Sequence, residues 1–424
     1  MSDIPPLSPA QLRRRCDPSV FSFETTADLP DVPGIIGQER VEDAVHFAIG
    51  IRRYGYNLYA LGPSGMGKHS FVRAFLERRA AEMSAPPDWC YVHNFKDGRR
   101  PLALKVPPSR APGLRQDMER LLAELQAAIP EVFEGDDYAS RRKLLEAQLN
   151  EASAAAFAEV EARARAQGIA LIRAAQGVGL APLRDGEVME PEEFKQLPEE
   201  DQKRLRAAMA ALQKEIEEAA GALPTAARKH REEVRKLERR VTAQTATLLI
   251  DEVRARWTDV PEVLGYLAEV ERDVVDHTAD FLPAPEGAGA MKALLGGRGG
   301  EQRTFKRYEV NVLVTRDEPG APVVYEDYPT YGNLVGRIEH VSELGNLVTD
   351  FTLIQAGALL RANGGYLIVD ARKLLLQPMS WDELKRALRS QVVRVDSPGR
   401  ALSLVSTASL EPEPIPLEVK VVLM

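Results

Sequence analysis

At 424 residues the chain has room for two or three domains. Hydrophobic residues are 44% and charged residues 28%, an ordinary globular balance, while a net charge of −8 argues against a nucleic-acid partner. Two cysteines without metal or disulfide spacing, no signal peptide and no bilayer-length apolar run leave a cytoplasmic protein with no membrane partner as the expectation.

Residues 1–30 are punctuated by proline and predict an extended arm with a short helix near 9–15. Residues 31–110 read as the first part of an α/β domain. Pro33-Gly34-Ile35-Ile36-Gly37-Gln38 leads into an amphipathic helix over 39–54. Asn57-Leu58-Tyr59-Ala60-Leu61 is short, apolar and aromatic, as a buried parallel strand should be. Gly62, Pro63, Ser64, Gly65, Met66, Gly67 and Lys68 follow, and helical spacing resumes over 71–81.

Strand, glycine-rich turn, lysine and helix together form a phosphate-binding pattern. Its glycines let successive backbone N–H groups curl around phosphate oxygens, and the helix N-terminus adds positive partial charge. Lys68 supplies a mobile cation. The hydroxyl residue that usually follows the lysine and helps hold Mg²⁺ is His69 here. Ser70 comes next, but its side chain points about 100° further around the helix. The competing interpretation is a glycine-rich strand–helix turn that binds nothing.

Trp89-Cys90-Tyr91-Val92-His93-Asn94-Phe95 predicts a further strand. Residues 111–283 then change character, with Ala, Glu, Arg, Leu and Lys dominant and apolar residues three and four apart. Leu145, Leu149, Ala152, Ala156 and Val160 form one series, Leu205, Met209, Leu212 and Ile216 a second, and Val234, Leu237, Val241 and Leu248 a third. These predict long helices joined along a seam, a coiled-coil hairpin. Pro224 should kink or break its second arm. Between the arms, residues 169–189 carry Gly177, Gly179, Pro182 and Asp185-Gly186, which predict a small β element at the tip. The insertion reads either as a solvated spacer or as a grip on another protein.

Residues 284–303, with Gly296-Gly297-Arg298-Gly299-Gly300, read as a flexible linker. Strand-like runs return over 304–424, the second part of the α/β domain. One of them, Tyr366-Leu367-Ile368-Val369-Asp370, ends four apolar residues in an aspartate. Such a strand is expected beside the glycine-loop strand, aiming Asp370 at the Mg²⁺ of a bound nucleotide. Ala371 follows, where a glutamate often polarises the attacking water, so binding has more support than hydrolysis. A last strand ends at Leu423, before the polar sensor and helical lid usual in ring ATPases, so a longer parent protein is expected.

These motifs together resemble the ATPase half of a Lon-related ATP-dependent protease, the AAA+ branch with a long coiled-coil insertion. The resemblance runs from Cys16-Asp17-Pro18 through Ile36-Gly37-Gln38-Glu39-Arg40 and Asp185-Gly186-Glu187-Val188-Met189. Its most specific parts are Pro329-Thr330-Tyr331-Gly332-Asn333-Leu334-Val335-Gly336-Arg337 and Ala356-Gly357-Ala358-Leu359-Leu360-Arg361-Ala362-Asn363-Gly364-Gly365-Tyr366. Two departures stand out. His69 replaces the hydroxyl, and Leu360 stands where such proteins often carry histidine.

The resemblance implies a P-loop AAA+ parallel sheet flanked by helices, interrupted by the helical insertion with its small β tip. It implies ATP and Mg²⁺ as cofactors, with Ile36 and Gly37 near the adenine and residues 62–70 on the phosphates. Lys68 and Asp370 would be the catalytic groups, Asp370 also reaching the metal with Ser70 or His69. Tyr331, Asn333 and Leu334 would line a ring's central pore and grip polypeptide; the alternative for Tyr331 is a half-buried loop aromatic. The implied partners are unfolded or damaged proteins, a C-terminal Ser-Lys peptidase domain beyond this chain, and further copies in a ring, usually a hexamer. A protein-unfolding motor is thus the leading expectation. A nucleotide-gated scaffold with little turnover is the alternative, and a chromosome-structural coiled-coil ATPase a weaker third.

Overall fold

A computed structural model of the chain describes residues 6–283, 304–396 and 410–424, apart from 14, 31–38, 52, 54, 64, 175–176, 185–186, 191–192, 195 and 344–345. Ile36, Gly37, Ser64 and the linker expected over 284–303 lie outside the described residues.

The arm forms no helix near 9–15 among its described residues; it makes two 3-10 turns, Pro18–Val20 and Thr26–Asp28. Asp17 caps the first by accepting from the Ser19 N–H at 3.0 Å, which satisfies the backbone locally without a helix. In chain order there follow α1 (Glu39–Gly50), β1 (Leu58–Tyr59), α2 (Lys68–Ala81), β2 (Asp88–Val92) and β3 (Leu102–Val106). The helical insertion holds α3 (Ala111–Glu134), α4 (Asp136–Ala166), α5 (Glu199–Arg256) and α6 (Pro261–Asp276). Its tip carries β4 (Ile169–Ala174), β5 (Gly177–Arg184) and β6 (Glu187–Val188), one antiparallel sheet as the sequence predicts.

The second part of the α/β unit begins with β7 (Val310–Val314), β8 (Val323–Glu326), α7 (Tyr331–Val335) and β9 (Gly336–Ile338). The hairpin β10 (Val341–Glu343) and β11 (Asn346–Val348) leads to β12 (Ile354–Ala356), α8 (Ala358–Arg361) and β13 (Tyr366–Val369). After α9 (Ala371–Leu376) and α10 (Ser380–Ser390) come β14 (Val392–Val393), β15 (Ile415–Pro416) and β16 (Lys420–Leu423).

Four parallel strands in the order β1-β16-β13-β8 make the principal sheet. Side chains alternate across a strand. Tyr366 and Ile368 therefore enter a core with Phe71, Val72, Phe75 and Leu76 of α2 and Val45 and Ile49 of α1. Leu367 and Val369 enter the opposite core with Leu359, Leu374 and Leu384. Both faces are covered by helices, the α/β architecture expected of a parallel sheet. Gly364-Gly365 serve this packing: Gly364 has φ +81°, and a Cβ on Gly365 would fall 2.1 Å from the Pro322 carbonyl oxygen. The Lys420 ammonium on β16 donates to the Ala48 and Ile51 carbonyl oxygens, tying the end of α1 to the sheet.

β2 and β3 lie outside the principal sheet, in an antiparallel sheet of order β3-β2-β7. Trp89 and Tyr91 of β2 face the α/β core, whereas Cys90 and Val92 face the core built with α3, α5 and α6. One strand thus locks the helical insertion onto the nucleotide-type domain. Burial, with the Asp88 charge adding to it, pushes the Cys90 thiol up to about 12, so this cysteine is an inert packing group.

One helical expectation is narrowed and two need correction. α5 is not broken at Pro224, a break being one of the two outcomes expected there; the position is exposed, so water can satisfy the freed carbonyl. Leu248, assigned above to the seam, is 67% exposed; Ala246, Ile250 and Val253 point inward instead. At about 100° per residue Ile250 lies about 180° around the helix from Val241, so the buried face turns over where α5 packs against α3 and α6, and Leu248, nearly in line with Val241, is left outside. On α4, Val160 of the first series is buried, while Leu145 and Leu149 are half-buried and Ala152 is exposed. No described helix is long and apolar enough to cross a membrane.

Candidate nucleotide site

Strand register assembles the site. Tyr59 pairs with Leu423, Leu423 with Val369, and Val369 with Glu326, so four strand ends form one row. The next residues along, Ala60, Met424, Asp370 and Asp327, form the carboxyl edge of the sheet, where ligands of open α/β folds bind. The loop to Lys68 leaves this edge from β1, and Asp370 leaves it from β13. The two strands are not adjacent as expected: β16 lies between them. They stand two strand spacings apart, about 10 Å, a distance a polyphosphate can bridge. The strand before the loop also differs from expectation. β1 is two residues long and only half-buried or exposed, with Leu61 82% exposed, because it has a hydrogen-bonded neighbour on one side alone among the described residues.

Gly65 and Gly67 have φ +85° and +74°, a left-handed conformation that lets the turn curl before α2 begins at Lys68. The Lys68 ammonium donates to the Gly62 carbonyl oxygen at 2.8 Å, folded over its own loop. A phosphate placed there would exchange with that carbonyl for a charge-assisted partner. Gly62 is half-buried, and Pro63, Gly65, Met66 and Gly67 are exposed, so the turn is open to solvent.

His69 is half-buried, and its ring stands edge-on to Tyr325 with centroids 4.5 Å apart at 81°. Its Nε2 is buried and has no hydrogen-bond partner among the described residues. Leaving such an atom unpaired costs about 1–3 kcal/mol, which makes it an open ligand position. Ser70 is exposed, as its place on the helix implies. The Asp370 Oδ1 accepts the Lys373 N–H at 2.8 Å and so caps α9, leaving its second oxygen for a ligand. Among the described residues no cluster of three or more His, Cys, Asp or Glu side chains could hold a metal ion. A divalent ion would therefore arrive with phosphate oxygens completing its shell, and the orphaned imidazole nitrogen and the free Asp370 oxygen fit that role.

Three residues at this edge escape sequence reasoning. The Tyr325 hydroxyl donates to Asp327 Oδ1 at 2.9 Å, and the Lys373 ammonium pairs with the same oxygen. Hydrogen bonding from Lys373, then from Tyr325, holds the Asp327 carboxyl below its ordinary value. A chain of contacts thus runs His69–Tyr325–Asp327–Lys373–Asp370 and links the two halves of the site. Its only sequence signal is that Asp327 and Asp370 each follow an apolar strand.

The expected pore residues sit elsewhere. Tyr331 is 8% exposed and Leu334 fully buried, both in the core behind the sheet, while the Asn333 side chain donates to the Tyr328 carbonyl oxygen at 2.9 Å. Burial, then the charges of Glu383 and Asp396, pushes the Tyr331 phenol up to about 12. A cavity of about 970 Å³ opens beside Tyr331, Glu383 and Arg386, but no residue of the glycine loop lines it. The amide-rich strand edge, rather than this cavity, has the chemistry to hold a phosphate.

Residues 319–424, from before β8 through β16, match the family described as LonB-like, AAA domain. Residues 88–121, spanning β2, β3 and the start of α3, match the Lon-like LonC helical domain. Both matched regions thus resemble domains of Lon-related proteases. No curated protein matches it. The AAA match contains Asp370, Asp327 and Tyr325, and neither matched region includes the glycine loop with Lys68 and His69. An AAA domain of this kind implies nucleotide binding, and the pairing of AAA and helical domains supports a role related to Lon-type ATP-dependent proteolysis, with oligomers and protein substrates as the family pattern.

Proposed function

We propose that the chain is the ATP-driven motor portion of a Lon-like serine protease, coupling ATP hydrolysis to unfolding of damaged or unfolded proteins and to their delivery to a Ser-Lys peptidase domain. The observation that carries this reading is the row Tyr59–Leu423–Val369–Glu326, which brings the glycine loop and Asp370 to one sheet edge. ATP would lie across that edge, its phosphates held by the amides of 62–68 and by Lys68, its adenine toward Ile36 and Gly37. A bound divalent ion, Mg²⁺ in the family pattern, would neutralise developing phosphate charge. Lys68 would leave the Gly62 carbonyl for the phosphates, and Asp370 would steady the ion's shell.

A ring of copies, a hexamer in the family pattern, and a cytoplasmic setting belong to the same proposal. With Tyr331 and Leu334 in the core, the hairpin β10–β11 offers the better surface for a passing polypeptide, because Val341 and Leu347 are exposed on it. A second reading, a nucleotide-gated scaffold with little turnover, is favoured by two observations: Asp370 already caps α9, and Ala371 beside it carries no carboxylate. ATP turnover with and without casein separates the two. Turnover stimulated by casein and abolished by Lys68→Ala supports the motor; ATP binding without turnover supports the scaffold.

A further inference from the structure

We propose that the His69 imidazole is a metal ligand, and that the site takes its nucleotide with a borderline divalent cation such as Mn²⁺ in preference to Mg²⁺. The inference rests on the nucleotide reading above and specifies the metal of that same site.

Position supplies the first argument. His69 is the second residue of α2, directly after the loop lysine, where a phosphate-binding loop ordinarily presents its metal-holding hydroxyl. Ser70 is exposed and does not replace it. The second argument is the state of the ring. Its Nε2 is buried without a hydrogen-bond partner among the described residues. The ring is also braced: Tyr325 packs edge-on against it at 4.5 Å, and the Tyr325 hydroxyl is anchored on Asp327. A braced imidazole with an unused nitrogen is preorganised for a ligand.

Charge and softness then choose the ligand. Asp327 and Asp370 follow the ends of β8 and β13, two neighbouring strands, and put negative charge at this edge. Phosphate recognition is already provided by the loop amides and Lys68. What an imidazole adds is discrimination among metals. Mg²⁺ is a hard ion that favours oxygen donors and keeps its water, whereas nitrogen donors favour later first-row ions. Exchanging a hydroxyl for an imidazole moves preference away from Mg²⁺ while leaving the nucleotide contacts in place.

Electron spin-echo spectroscopy of the 424-residue chain, loaded with Mn²⁺ and a non-hydrolysable ATP analogue, tests this directly. The expected result is nitrogen modulation of the manganese echo, changed by isotopic labelling of histidine nitrogen and lost in His69→Thr. In parallel, the native chain should bind the Mn²⁺ complex of the analogue about tenfold more tightly than the Mg²⁺ complex, with the ratio near one in His69→Thr. A manganese echo without nitrogen modulation, or an unchanged ratio in the variant, overturns the assignment while the nucleotide site stands. Failure of the native chain to bind the analogue with either metal overturns the nucleotide reading, and the role of His69 falls with it. The labelling experiment on native protein gives an answer even where His69→Thr folds poorly.

Discussion

Tyr59 and Val369 pair with the same residue, Leu423, from opposite sides of β16. Some three hundred positions separate the two in sequence, and one backbone brings them into line. The spacing between the glycine loop and Asp370 is therefore set by a strand that carries no site residue of its own.

Val422 tests that dependence. It is fully buried and pairs with Leu58 on one side and Ile368 on the other. Val422→Ala removes two methyl groups from a packed core and should cost about 2 kcal/mol. Denaturant titration measures that loss. Nucleotide affinity should fall with it, although no ligand contact is removed; full affinity in a destabilised variant would show that β16 does not set the site.

Much of this arrangement was legible in the chain, for identifiable reasons. Runs such as Tyr366–Val369 announce a strand because both faces are apolar, and the glycine loop announces itself because only glycine takes φ near +80° without strain. Local pattern carries no strand order, so nothing around Asp370 announces that β16, through pairing at long range, lies between its strand and that of the loop. The motif around Tyr331 is compatible with a pore aromatic or a half-buried loop aromatic, because the burial of that ring depends on α10 packing over it, which spacing cannot reveal. The Tyr325–Asp327–Lys373 chain stayed hidden because its members lie on separate elements and match no spacing rule.

Helix register in the insertion is open to a paired comparison. Leu248 faces solvent and Ile250 is fully buried on the same helix. Leu248→Glu should change stability by no more than about 0.5 kcal/mol. Ile250→Ala should cost about 2–4 kcal/mol by opening a cavity in the core it shares with α3 and α6. Denaturant midpoints of the two variants decide it, and equal losses would restore the heptad assignment of Leu248.

The Asp327–Lys373 tie sets a pH window. The Lys373 ammonium, then the Tyr325 hydroxyl, lowers the Asp327 pKa below 3.8. Its contribution is complete above 3.8 and is lost as pH falls through the lower folded value. Hydrogen bonding to Asp327 raises Lys373 above 10.5, so its contribution is complete below 10.5 and is lost as pH rises through the folded value. Carboxyl NMR should therefore show Asp327 ionised throughout the neutral range. Asp327→Asn should release Lys373 and loosen Tyr325 against His69, seen as a change in the His69 ring resonances at neutral pH. Unchanged resonances would mean that Tyr325 is held by packing alone.

Packing and traction can be separated with two variants. Tyr331 is a core side chain, in one cluster with Leu334 and Leu384. Tyr331→Ala should destabilise the α/β unit by about 3–5 kcal/mol, as loss of a buried aromatic does. Any effect on turnover would then follow unfolding. Leu347 is 63% exposed on the hairpin, so Leu347→Ser should leave stability within about 0.5 kcal/mol. If the hairpin touches passing polypeptide, that variant should keep basal ATP turnover and lose its stimulation by casein. Loss of stimulation in Tyr331→Phe, which keeps the ring and its packing, would instead return the gripping role to the Tyr331 hydroxyl and leave the hairpin as a surface turn.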